Sequence, residues 1–216
     1  MNPHWSKWTH VIAICALWAI VLPCQAQTIT DLSPLDDQLK GILASPSATE
    51  KSIAKAHNFS FFCANCHGPD GNSLKTDVPN LAGQNPHYLL TQIDKFVKGQ
   101  RQYEFMQGLM KMLSEEDRIN ASVFYSSKAV KPASNVTSSN GQKIYLQRCV
   151  MCHGQQGLGG ESIPRLAGQQ IGYLRASITR YRDKTGERIY APMSAITNGL
   201  QNNEIVDLAN YLSSLR

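Results

Sequence analysis

"CANCHGPDG" (residues 63–71) and "CVMCHGQQG" (149–157) are one short pattern written twice. In each, two cysteines stand three positions apart and a histidine follows the second: Cys63, Cys66 and His67, then Cys149, Cys152 and His153. The surroundings repeat as well. "VPNLAGQNPHYL" (78–89) returns as "IPRLAGQQIGYL" (163–174), and "GQRQYEFM" (99–106) returns as "GERIYAPM" (186–193). Last, "LSEEDRINASVFYSS" (113–127) matches "LQNNEIVDLANYLSS" (200–214), all at an offset of 85 to 87 residues. Two copies of this length make a duplicated domain rather than a solenoid.

Each copy spans about 80 residues, a size at which apolar burial alone is marginal. A large bound group at the centre of each copy would complete the core. Ile205, Leu208, Ala209 and Leu212 recur at i, i+3, i+4 and i+7, the buried stripe of a helix. Ser114 with Asp117 reads as a helix start, and Ser138 or Asn140 can cap a helix running to Cys149. No stretch alternates like a strand, so the fold class is all-α with two tandem domains, 49–128 and 140–216. Between them residues 129–139 lie in "VKPASNVTSSN" (130–140), which is rich in Pro, Ser, Thr and Asn and reads as a linker.

The first 26 residues carry the grammar of a cleaved secretory signal: Lys7, the apolar run 11–22, Pro23, and a small residue at Ala26. That run is shorter than the roughly 20 residues that span a bilayer. Export to a bacterial periplasm is the expectation. An N-terminal extension, 27–48, follows, with a short helix expected around 34–43 to pack on a domain.

With Cys15 and Cys24 in the signal, the four remaining cysteines all fall in the two C-x-x-C pairs. Cysteines three apart share one side of a helical turn, so their sulfurs can form thioethers with the two vinyl groups of one haem. The adjacent histidine then offers its imidazole to the iron. C-x-x-C-H is the signature of c-type haem attachment. A thioredoxin-like pair would need a βαβ setting, which is not visible. A zinc site built from both pairs would span about 86 residues and leave His67 and His153 unexplained. A disulfide within each C-x-x-C is strained by the short loop.

Paired C-x-x-C-H-G, P-x-L-A-G-Q with a tyrosine four residues on, G-x-R-x-Y-x-x-M and a final helix with an aromatic resemble the class I dihaem cytochromes c. The likeness is strongest to the cytochrome c4 family, over about residues 50–216. The resemblance implies two packed cytochrome c folds, two covalently bound haem c groups with His/Met-ligated iron, and electron transfer in a periplasmic respiratory chain. It also implies that the carbonyls of Pro79 and Pro164 accept a hydrogen bond from the proximal imidazoles. Gln84, Tyr88, Arg101 and Tyr103, with Gln169, Tyr173, Arg188 and Tyr190, are candidates for propionate contacts; a surface or interface role is open for each.

In the second copy the axial methionine is Met193, because Met151 sits inside the C-x-x-C-H loop. Pro192 is expected to hold Met193 in an extended loop, 40 residues beyond His153. In the first copy Met106 lies 39 residues beyond His67 and keeps the Arg and Tyr five and three positions before it. Met110 and Met112 align with Thr197 and Gly199, which are not needed as ligands. One departure is Phe105 in place of the proline; another is Lys55 aligned with Gly141, with Ala54 or Ala56 as compensation in the helix crossing. His67 and Met106, then His153 and Met193, are therefore the expected iron ligands. Iron with both axial positions filled carries electrons and has no open site for oxygen or peroxide chemistry.

Residues 27–128 carry ten Lys and Arg against eleven Asp and Glu, whereas 129–216 carry ten against five. The basic half can steer docking to an acidic redox partner, expected to be a membrane-bound respiratory complex or terminal oxidase. No nucleic acid and no small-molecule substrate are expected. The alternative is a dihaem subunit of a larger oxidoreductase, such as a flavoprotein dehydrogenase.

Overall fold

The computed structural model describes residues 34–186 and 190–216, so the signal segment expected at 1–26 lies outside the described residues. Among the described residues every regular element is a helix. The first half holds α1 (Pro34–Leu43), α2 (Pro46–Ala56), α3 (Ser60–His67), α4 (Pro86–Val97), α5 (Glu104–Met112) and α6 (Glu115–Ser126). The second holds α7 (Ser139–Arg148), α8 (Val150–His153), α9 (Ile171–Asp183), α10 (Ala191–Thr197) and α11 (Asn202–Ser214). None of these is long and apolar enough to cross a membrane.

The helix starts follow from their caps. Ser45, Ser114 and Ser138 each accept the amide three residues on, and Gln201 with Glu204 forms a reciprocal capping box. Ser114 is simpler than a capping box, because its hydroxyl also donates to the Asp117 carboxylate at 2.7 Å. α1 occupies the stretch expected to be helical in the N-terminal extension. Its Leu35 and Leu39 enter a cluster with Leu90, Ile119 and Val123, so the extension supplies part of the first half's core.

The two halves differ at the crossing of the leading and final helices. In the second half α7 crosses α11 at Gly141, where a Cβ would stand 2.0 Å from the Asp207 carbonyl oxygen and 2.9 Å from Tyr211 Cβ. Below it Tyr145 is fully buried with Leu174, Leu208 and Leu212. In the first half the partner of α6 at the matching place is Ser52, not Lys55: the Ser52 hydroxyl donates to Asn120 Oδ1 at 2.7 Å inside the core. Ala56 is fully buried against Leu89 and Phe124, while Ala54 is exposed and Lys55 pairs with Glu116 on the surface. The extra turn at 57–59, between α2 and α3, shifts the register by three residues. A straight alignment misses that shift.

The linker is not slack. Lys131 N–H donates to Asn72 Oδ1, Asn72 Nδ2 donates to the Ala129 carbonyl, and Ser134 N–H reaches the Ser213 carbonyl. Val130 lies against Gly83 through one methyl and against Gly168 through the other. Both glycines have positive φ, 58° and 71°, and a Cβ on either would strike Val130. At the far edge His87 of α4 bonds Asp36 of α1 through Nδ1 and faces Glu161 of the second half through Nε2 at 3.7 Å. Burial opposes the Asp36 charge, but hydrogen bonds from His87 and Lys40 outweigh it and hold its carboxyl below the ordinary range.

Gly141→Ala should destabilise the haem-loaded protein by about 1–3 kcal/mol, because the Asp207 backbone cannot yield as a side chain would. Gly108→Ala, in open space on α5 at a position where α10 carries Ala195, should be neutral or stabilising by up to about 1 kcal/mol. Chemical unfolding of the two variants beside the wild type checks both.

Candidate haem-binding sites

His67 is the last residue of α3 and His153 the last of α8, and each helix stops on a glycine of positive φ, Gly68 at 81° and Gly154 at 77°. A Cβ on Gly68 would lie 2.3 Å from the Asn72 carbonyl oxygen, so the reversal after the first site demands glycine. The reversal turns the chain back past its own histidine. His67 Nδ1 then meets the Pro79 carbonyl at 2.8 Å, and His153 Nδ1 meets the Pro164 carbonyl at 3.0 Å. Both prolines therefore act as the resemblance implies.

A carbonyl only accepts, so Nδ1 carries the proton and Nε2 holds the free lone pair. Among the described residues no hydrogen bond occupies Nε2 of either ring. Burial, opposed by the proline carbonyl, pushes both imidazoles below their usual pKa, and the Arg101 guanidinium adds to the fall at His67. A neutral imidazole anchored at Nδ1 is the form that binds a metal.

The cysteines fit thioether attachment and exclude the rivals. No disulfide joins them. Among the described residues the two pairs do not converge on one metal cluster, which removes a shared zinc site. Burial pushes the Cys63 thiol up and the Cys149 thiol up to about 11, opposite to the lowered thiol of a redox-active C-x-x-C. Tyr125, which sequence reasoning passed over, is buried with its hydroxyl beside the Cys63 thiol. In the second half Leu212 holds that place, and Tyr145 OH donates to the Gly154 carbonyl.

The methionines sort by place. Tyr103 and Tyr190 are extended N-caps, so Met106 and Met193 are each the third residue of a helix, α5 and α10, and both are half-buried. The extended loop expected around Met193 is thus corrected: Pro192 sits in the first turn of α10, where an amide has no helical partner to lose. Phe105 replaces it without changing the backbone, since α5 starts in the same way. Met110 is buried like Thr197, and Met112 and Met151 are 75% and 94% exposed.

Two propionate candidates turn out to be something else. Gln84 accepts from Arg165 N–H at 2.7 Å and donates to the Arg165 carbonyl at 2.9 Å. Gln169 accepts from Asn80 N–H at 2.7 Å and donates to the Asn80 carbonyl at 3.0 Å. Each glutamine of P-x-L-A-G-Q grips the backbone of the x residue in the other copy. Asn80, Gln169 and Gln170 are all buried, with Gln170 Nε2 donating to the Ser73 carbonyl. Arg101 reaches Gln92 and the Tyr173 hydroxyl, so this pair also meets across the halves. Tyr103 and Tyr190 are exposed, Tyr88 lies on α4, and Arg188 is outside the described residues.

Two C-x-x-C-H sites with carbonyl-anchored histidines, in a duplicated helical fold, define a dihaem c-type cytochrome. The family profile "Cytochrome c" matches residues 138–216. Cytochrome c4 of Thiocapsa roseopersicina is 30% identical over 169 residues, covering 71% of this chain and 86% of that protein. The thiosulfate dehydrogenase electron acceptor of Stutzerimonas stutzeri is 30% identical over 171 residues, covering 71% and 78%. The crystal structure of reduced recombinant cytochrome c4 from Pseudomonas stutzeri matches with a TM-score of 0.68 at 28% identity, covering 78% of this chain and 98% of that one. The chain belongs to the cytochrome c4 family. It carries two covalently bound haem c groups and transfers electrons.

Pyridine haemochrome analysis should give two haems per chain. The double variant Cys149→Ser, Cys152→Ser should give one, with about half the wild-type haem stain on a denaturing gel.

Proposed function

We propose that the protein is a periplasmic electron carrier of a respiratory chain, one electron to each haem, with His67 and Met106 ligating the first iron and His153 and Met193 the second. The matching place of the two methionines carries the assignment. Both follow an extended tyrosine by three residues at a helix start, both are half-buried, and the other described methionines, Met110, Met112 and Met151, are deep in the fold or out in solvent. Bound haem iron supplies the Fe(II)/Fe(III) couple. The chain's own residues keep each imidazole neutral, hold its Nδ1 proton on a proline carbonyl, and give the iron a thioether that favours the reduced state.

The signal-like residues 1–26 support export. The partner would be a membrane-bound respiratory complex or terminal oxidase with an acidic face. Lys143, Arg175, Arg180 and Lys184 are exposed on the second half and provide the complementary charge. The second reading, a dihaem subunit serving a dehydrogenase, is favoured by the likeness to the thiosulfate dehydrogenase electron acceptor. Co-purification of a stoichiometric dehydrogenase would favour it over the free carrier.

Met106→Ala and Met193→Ala should each remove half of the near-infrared Met–Fe(III) charge-transfer band, and Met110→Ala should leave it intact. Reduction of an acidic partner should slow steeply with ionic strength, and charge reversal at Arg175 and Arg180 should weaken that dependence. Stopped-flow rates from low to high salt read both effects.

A further inference from the structure

The peptide group between Pro79 and Asn80 is used at both ends. Its carbonyl accepts from His67 Nδ1 at 2.8 Å, and its N–H, on Asn80, donates to Gln169 Oε1 at 2.7 Å. The peptide between Pro164 and Arg165 repeats the arrangement: its carbonyl takes His153 Nδ1 at 3.0 Å, and its N–H donates to Gln84 Oε1 at 2.7 Å. In each case the terminal acceptor belongs to the opposite half of the molecule. The glutamines are 6% exposed, so water does not compete for these bonds.

An amide whose N–H is donated to a strong acceptor shifts electron density onto its oxygen, and hydrogen bonds in such a chain strengthen one another. A stronger carbonyl acceptor draws the Nδ1 proton further from the ring. The ring then becomes a better donor at Nε2, which favours ferric iron and lowers the reduction potential. We propose that Gln169 tunes the first haem and Gln84 the second, each through one peptide group of the opposite domain. They are positioning residues that touch neither iron nor haem, and they make the domain interface a control on both potentials. Docking or loosening of one half then alters the ligand strength in the other.

The proposal rests on His67 and His153 as axial ligands, and its test separates the two readings. Wild-type spectra without two low-spin, histidine-ligated haems would end the axial assignment. The relay is judged by which haem moves in the variants, with the two haems told apart by haem-methyl NMR. Gln169→Leu should raise the potential of the first haem and move the His67 Nδ1 proton resonance of the reduced protein upfield, with smaller change at the second. Gln84→Leu should give the mirror image. Gln169→Glu, which keeps the size and the acceptor for Asn80 N–H while giving up the donor to the Asn80 carbonyl, should hold or lower the first potential and keep the His67 proton downfield. Asn85→Ala removes the interdomain bonds to the Leu158 and Ile163 carbonyls and touches neither peptide, so it should leave both resonances in place. The proposal is overturned if a Leu variant shifts the haem of its own half, shifts both equally or shifts neither. It is also overturned if Asn85→Ala reproduces the Leu effects, or if Gln169→Glu moves the His67 proton upfield.

Discussion

The structure depends on one hydrogen bond made twice, from a buried imidazole Nδ1 to a proline carbonyl. Meeting it needs a histidine at a helix end, a glycine in the left-handed region to reverse the chain, and a loop that presents the carbonyl at the right depth. That loop is itself pinned. The Gly71 carbonyl accepts the amides of Leu81 and Ala82, and the Gly157 carbonyl accepts those of Leu166 and Ala167. Proline contributes a fixed φ at the point where the carbonyl must not wander. The result is a neutral, oriented imidazole in each half.

The same loops then build the interface. Because P-x-L-A-G-Q carries its glutamine five residues after its proline, the two copies can face each other and exchange backbone bonds reciprocally. The four glutamine bonds contribute about 1 kcal/mol each. Removing one side chain costs more, because it leaves buried backbone groups without partners. Val130 is wedged between the glycines of the two motifs, so the connecting segment seals the contact that it also links. Haem ligation and domain docking are thus two uses of one repeated loop.

Duplication has not kept the halves equal. The second half packs one cluster around Tyr145, whereas the first divides its core in two and draws Leu35 and Leu39 from the N-terminal extension. A close glycine crossing in one becomes a Ser52–Asn120 hydrogen bond in the other. Tyr125 beside Cys63 has an aliphatic counterpart. With the excess positive charge confined to the second half, the two sites sit in different electrostatic and packing environments despite a shared motif.

Local chemistry made much of this legible in sequence. C-x-x-C-H fixes the haem number and its attachment, the repeat fixes the domain count, and the period of residues 205–212 fixes the final helix face. These are properties of residues close in the chain, where spacing alone sets geometry. The register shift before α3 was not legible, because a three-residue turn leaves the motifs on either side unchanged. Nor was the helix around Met193: proline suits an extended loop and a first helical turn equally well, and only the packing of α10 on α9 chose between them. The role of Gln84 and Gln169 was the furthest from reach. A glutamine near a haem suits a propionate as well as a backbone, and its partner lies over 80 residues away. Only the docking of one copy on the other brings that partner within 3 Å, because burial there leaves the glutamine amide only the opposing peptide and the N–H of the next residue in its own chain.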